Sequence, residues 1–236
     1  MPSAEVRNKG MVEGLNGIGY AAVMLGEREL AAGYEKFKQL EATAEFPFVS
    51  ANIVFENTTE PIVAPSVVQT VSKGEEEIRV GFLGLNRYNT AFIKGTDDGR
   101  NIVVVSPFET ARRLVPELRE KVDVLVVLTS LSISQSRQLA RDVEGIDAVI
   151  GASSGVLSLD NDQSAGVPII YTGNQGKYLS EFRVFTADGP GIRESSRRHH
   201  YLNRDYPSEP VMHELVSRVL AEENDINREM ARADAP

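Results

Sequence analysis

Apolar positions along the chain change period as they go, and each change marks an element. Over residues 10–19 they fall at 11, 12, 15 and 18, the spacing of one helix face. Residues 20–25 form a short apolar run suited to a buried strand, and 31–40 read as helix with Tyr34, Phe37 and Leu40 on one side. A strand at 48–54, hairpin-like pieces near 61–72 and a strand at 78–84 follow. Ser106-Pro107, a cap followed by proline in the first turn, opens a helix over 107–120. Strand 123–129, helix 133–142 and strands 147–150, 168–172 and 179–186 come next. Residues 207–232 read mostly as helix with Val211, Leu215, Val219 and Leu220 as its apolar seam. Beyond Ala221 that helix turns polar and is expected to leave the body of the domain.

The run Val122-Asp123-Val124-Leu125-Val126-Val127-Leu128 is almost continuously apolar, as in a strand covered on both faces. Helices alternating with such strands make the class α/β. The organisation expected is a tail over 1–9, one α/β domain over 10–206, and a C-terminal helix and tail over 207–236. A chain of 236 residues is long enough for that domain to bury a sizeable core.

Composition narrows the chemistry. A net charge of −9 opposes binding to a nucleic-acid backbone, which needs clustered Lys and Arg, and Arg197-Arg198 is too short to form a stripe. With no cysteine, the chain can build no disulfide, thiolate metal site or Cys nucleophile. No apolar run reaches the length of a transmembrane helix, and the polar residues 1–10 lack the apolar stretch of a signal peptide.

A set of short segments then appears in a telling order. Gly26-Glu27-Arg28-Glu29 follows the first strand, and Phe46-Pro47-Phe48-Val49-Ser50-Ala51-Asn52 leads into the core. Ile78-Arg79-Val80-Gly81-Phe82-Leu83-Gly84-Leu85, Val124-Leu125-Val126-Val127-Leu128-Thr129 and Gly145-Ile146-Asp147-Ala148-Val149-Ile150-Gly151 are the next strands. Gly173-Asn174-Gln175-Gly176-Lys177-Tyr178-Leu179 closes the set. In this order they resemble the calcineurin-like metallophosphoesterases of the 5'-nucleotidase branch, over roughly residues 10 to 220. The resemblance implies two mixed β-sheets packed face to face with flanking helices, and a two-metal phosphoric ester hydrolase. It also implies an exported or periplasmic location.

The family's metal ligands are its early Asp-x-His and Gly-Asp, the Asn of Gly-Asn-His-Glu, the His of Thr-His-x-Gly, and both histidines of Gly-Gly-His-Ser-His. Such ligands let paired cations polarise a phosphoryl group and activate a bridging water. The first two motifs would lie upstream of Gly10, so the domain is expected to be incomplete at its N-terminus. Glu27 and Arg28 stand at the Asn and catalytic His, and Ser130 at the single His. Ser153 and Gly155, with Ser154 between them, stand at the last pair. Of these only Glu27 could bind a cation, because serine hydroxyls are poor ligands for zinc or manganese. No cofactor is therefore expected.

Glu27 and Arg28 admit two readings. Arg28 could hold an anion in the old phosphate cleft with Ser130, Ser153 and Ser154 as hydrogen-bond donors. Alternatively, Arg28 bridges to Glu27, Glu29 or another carboxylate and fills the space left by metals. The replacements are similar to those of a variant subgroup associated with multihaem cytochromes, which implies a protein partner. His199-His200 lie on opposite faces of a strand and cannot readily chelate one ion. Gly81-Phe82-Leu83-Gly84 lacks the third glycine of a dinucleotide loop, Ser153-Ser154-Gly155 lacks the frame of a nucleophile elbow, and Asp160-Asn161-Asp162 lacks EF-hand spacing.

Three functions stay open. The foremost is a catalytically degenerate domain, a pseudoenzyme, acting as a binding or interaction subunit. The others are a hydrolase whose missing ligands come from a longer precursor or another chain, and a small-anion binder.

Overall fold

A computed structural model gives the fold and describes residues 2–74, 76–89, 93, 95–152, 157, 166–187 and 189–233. In chain order the elements are α1 (Pro2–Ile18), β1 (Val23–Met24), α2 (Tyr34–Glu41), β2 (Phe48–Val49), β3 (Ile53–Phe55), β4 (Ser66–Lys73) and β5 (Glu76–Leu85). Then come β6 (Ile102–Val104), α3 (Pro107–Arg119), β7 (Val124–Thr129), α4 (Ile133–Asp142), β8 (Ala148–Gly151), β9 (Ile169–Tyr171), β10 (Tyr178–Ala187), β11 (Gly189–Tyr201) and α5 (Pro210–Ala233). The α/β class stands. Among the described residues its strands form one five-stranded sheet, β4-β5-β7-β8-β9, and three two-stranded sheets, β1-β2, β3-β6 and β10-β11.

In the large sheet β5, β7, β8 and β9 are parallel, so they all end at one edge, and β4 runs antiparallel to β5. β7 explains its own apolar run. Leu125 and Val127 point to the core shared with α3 and α4, through Ala111, Val115 and Leu139. Val124 and Val126 point the other way, where Phe182 and Ile192 of the β10-β11 hairpin cover them. Ser106 caps α3 by accepting from the Glu109 N–H, and Ser132 forms a reciprocal capping box with Gln135 at the start of α4.

A second core joins α1 and α2 to the small sheets, with Val12, Leu25, Leu30, Phe37, Phe46, Phe48, Ile53 and Phe55 buried in it. The two cores meet where β2 crosses β5. The Ala51 N–H donates to Gly84 O at 2.8 Å, and a β-carbon on Gly84 would sit 2.4 Å from the Val49 carbonyl oxygen. Glycine is the residue that permits this approach.

The ends of the chain differ from the expected tail and departing helix. Residues 2–9, read from sequence as a tail, are the first turns of α1, because Val6 is buried and draws that segment onto the domain. α5 lies antiparallel on α1, with Met212, Leu215 and Val219 seated over Gly17, Gly14 and Gly10. The ion pairs Arg7–Glu223 and Arg218–Glu13 flank that contact and extend it past Ala221. Of the expected seam, Leu215 is buried, while Val211 and Leu220 are exposed. β6, three residues long, was not marked by the apolar pattern. No helix among the described residues is long and apolar enough to cross a membrane.

Candidate functional site

Strand ends gather the loops that sequence reasoning singled out. β1 delivers Gly26 to Glu29, β5 delivers Asn86 to Asn89, and β7 delivers Ser130 to Ser132, each just beyond its last strand residue. Beneath them is a buried polar network. The Asn86 Nδ2 donates to Leu25 O at 2.7 Å, its Oδ1 accepts from Ser50 Oγ at 2.8 Å, and its N–H donates to Asn52 Oδ1 at 2.7 Å. Asn52 Nδ2 in turn donates to Asn86 O and Val105 O at 2.7 and 2.9 Å. Ser50, Asn52 and Asn86 are each 2% exposed or less, so their polar atoms need these partners. They lock the loops after β1, β2 and β5 together.

Glu27 stands above this network with a side chain only 15% exposed. Its Oε1 accepts from Asn89 Nδ2 at 2.8 Å and lies 3.5 Å from the Arg87 guanidinium. Ser130 Oγ accepts the Arg87 backbone N–H at 2.9 Å, and the Ser130 N–H donates to Leu85 O at 3.3 Å. Arg87 thus bridges two of the predicted positions, Glu27 through its side chain and Ser130 through its backbone. Arg28 is exposed on the same loop. Ser153, Ser154 and Gly155 lie outside the described residues, as do Asp160, Asn161 and Asp162.

Glu29 is held within its own turn. Its carboxylate accepts the Gly26 N–H at 3.1 Å and so closes the turn. Burial pushes its pKa above the ordinary carboxylate value, against the opposing pull of backbone N–H groups and ahead of repulsion from Glu27. Arg87, Asn89 and the Asn52–Asn86 pair carry much of this site, and no motif pointed to them as site residues. Asn52 lay inside a quoted motif, but only as part of a strand entering the core.

The donors described here do not fit the two divalent metals that the family resemblance implies. Glu27 is a single carboxylate already held by an amide and a guanidinium, Ser130 is a hydroxyl engaged by a backbone N–H, and the Arg87 cation would repel a metal beside them. Among the described residues no three His, Asp or Glu side chains converge to hold a metal ion. On opposite faces of β11, His199 Nδ1 meets Ser180 Oγ at 2.7 Å and His200 Nε2 meets Glu181 Oε2 at 3.3 Å, as strand alternation requires.

This is the calcineurin-like phosphoesterase fold. The structure matches calcineurin-like phosphoesterase YfkN from Bacillus subtilis with a TM-score of 0.80 at 19% identity, covering 95% of this chain and 77% of that one. No family model matches the sequence. Curated relatives include the 2',3'-cyclic-nucleotide 2'-phosphodiesterase/3'-nucleotidase of Salmonella typhimurium, 28% identical over 151 residues, which are 58% of this chain and 23% of the relative. Protein UshA of Salmonella pullorum is 32% identical over 120 residues, 50% of this chain and 21% of its own. The homologues and structural neighbours are therefore 5'-nucleotidase-type, calcineurin-like phosphoesterases, as the ordered motifs implied. The chain spans less than a third of the length of these curated relatives.

Proposed function

We propose that this chain is a phosphoesterase-fold domain that works as a binding or interaction subunit, without metal and without hydrolysis of its own. The supporting observation is the occupancy of the strand-end donors. Glu27 is bonded by Asn89 and Arg87, and Ser130 by the Arg87 N–H, where a two-metal hydrolase needs converging histidines and carboxylates free to bind cations. An exported or periplasmic location belongs to the same proposal, supported by a structural neighbour described as a 5'-nucleotidase precursor from Thermus thermophilus.

A second reading, hydrolysis of a phosphoric ester, draws support from the activity that names the Salmonella relative. It requires metal ligands from a longer protein or another chain. One experiment separates the two. The purified chain, expressed in medium supplemented with zinc and manganese, is analysed for bound metal and assayed with bis-(p-nitrophenyl) phosphate and a 2',3'-cyclic nucleotide. The proposal expects metal far below one ion per chain and no turnover above blank. Stoichiometric metal with turnover would overturn it in favour of the hydrolase.

A further inference from the structure

A cavity of about 350 Å³ opens between α1 and α2 and is lined in part by Glu29. Its floor is apolar, formed by Val12, Phe37 and Leu40, each at most 7% exposed. Glu29 lines the cavity as well, with Lys36 and Gln39 of α2. The other charges around the cavity are largely matched: Glu5 pairs with Lys36 at 3.2 Å and Glu13 with Arg218 at 2.6 Å. Lys9 is exposed at the edge. Glu29 makes no ion pair with any described residue; its carboxylate is held by backbone N–H groups, that of Gly26 at 3.1 Å among them, and feels the Arg28 charge. A carboxylate can accept about four hydrogen bonds. The cavity therefore joins an apolar bed to an acceptor-rich anion, within the size range of small-ligand pockets.

We propose that this cavity binds a small organic cation, an amine with an apolar body, whose ammonium group meets Glu29 while the body rests on Val12, Phe37 and Leu40. Charge complementarity favours the cation: Glu29 has no ion-pair partner among the described residues, while of the lining cations Lys36 is engaged by Glu5 and Lys9 is exposed at the edge. The loop makes the site more than a crevice. Glu29 closes the same turn that presents Glu27, so a ligand held by Glu29 also braces the loop of the strand-end site. The proposal is independent of whether that site is catalytic.

Three probes of one shape test it: 2-phenylethylamine, 2-phenylethanol and 3-phenylpropanoate, titrated into the full chain by calorimetry, with amide chemical shifts locating the site. The expected result is saturable binding of the amine, at least tenfold tighter than either other probe, with shifts confined to α1, α2 and the 26–33 loop. Glu29→Gln should weaken the amine at least tenfold. Gln39→Trp, a rim substitution that leaves the core untouched, should block binding with no change in the unliganded melting temperature. Equal binding of alcohol and amine, shifts located elsewhere, undiminished binding by either variant, or no binding up to 10 mM (roughly the weak limit for a fragment) would overturn the proposal.

Discussion

Gly84→Ala is the sharpest perturbation of the junction beneath the strand-end site. The added methyl would lie 2.4 Å from Val49 O, 2.7 Å from Val49 C and 3.0 Å from Ser50 Cα, all backbone atoms that no rotamer change can move. Ordinary contact needs roughly 3.4 Å or more, so β2 must withdraw by about 1 Å; forced insertion of this kind costs about 1–3 kcal/mol. That withdrawal stretches the Ala51 N–H to Gly84 O bond and the Gly84 N–H to Pro65 O bond, now 2.8 and 3.2 Å. Each is worth about 0.5–1.5 kcal/mol net. The total is about 2–6 kcal/mol, or a melting temperature lower by roughly 4–24 °C for a domain of this size. Thermal unfolding followed by circular dichroism measures it, with urea titration as the check that cooperativity is kept. A variant melting within 2 °C of the parent, about 1 kcal/mol or less, would refute the close crossing of β2 over β5.

Gly14→Ala should act in the opposite direction. The new methyl meets only Leu215 Cδ2 at 3.5 Å and Met212 Sδ at 3.8 Å, so the helix gains about 0.5–1 kcal/mol and the melting point rises. Asn86→Ala leaves Leu25 O without its donor and Ser50 Oγ without its acceptor, for a loss of about 2–4 kcal/mol read from urea midpoints. Glu29→Gln should change the pH dependence of stability. The folded protein holds the Glu29 proton more tightly than the unfolded chain does, so the parent loses stability as pH rises from about the free carboxylate value through the raised one. The variant should lack that decline. Urea midpoints at pH 4 and pH 7 should show its relative gain at pH 7.

What the sequence disclosed tracks how each element announces itself. The β7 run was legible because burial on two faces leaves almost no polar position, and α3 because Ser106-Pro107 marks its start. β6 escaped because three residues give too short a pattern to separate from a loop. Residues 2–9 looked like a tail because the stretch is mostly polar, and a single buried apolar residue, Val6, beside a buried Ser3, sets no helical period that could be read. At the site, Glu27 and Ser130 were legible through their places in ordered motifs. Their partners were not, since Asn86, Arg87 and Asn89 act by satisfying backbone and carboxylate groups across roughly 35–60 residues of separation, which no local spacing records. Arg87 reaches Glu27 from the end of β5, a strand 60 residues further along the chain, which the sheet and not the sequence brings beside it.

The central claim is that hydrogen bonds within the protein occupy the positions where a phosphoesterase of this fold holds metal. The most direct measurement is isothermal titration of manganese and zinc into the metal-stripped chain, for the parent and for Glu27→Ala. The account predicts no stoichiometric site in the parent and no change on removing Glu27. A saturable site in the parent that disappears with Glu27→Ala would contradict it.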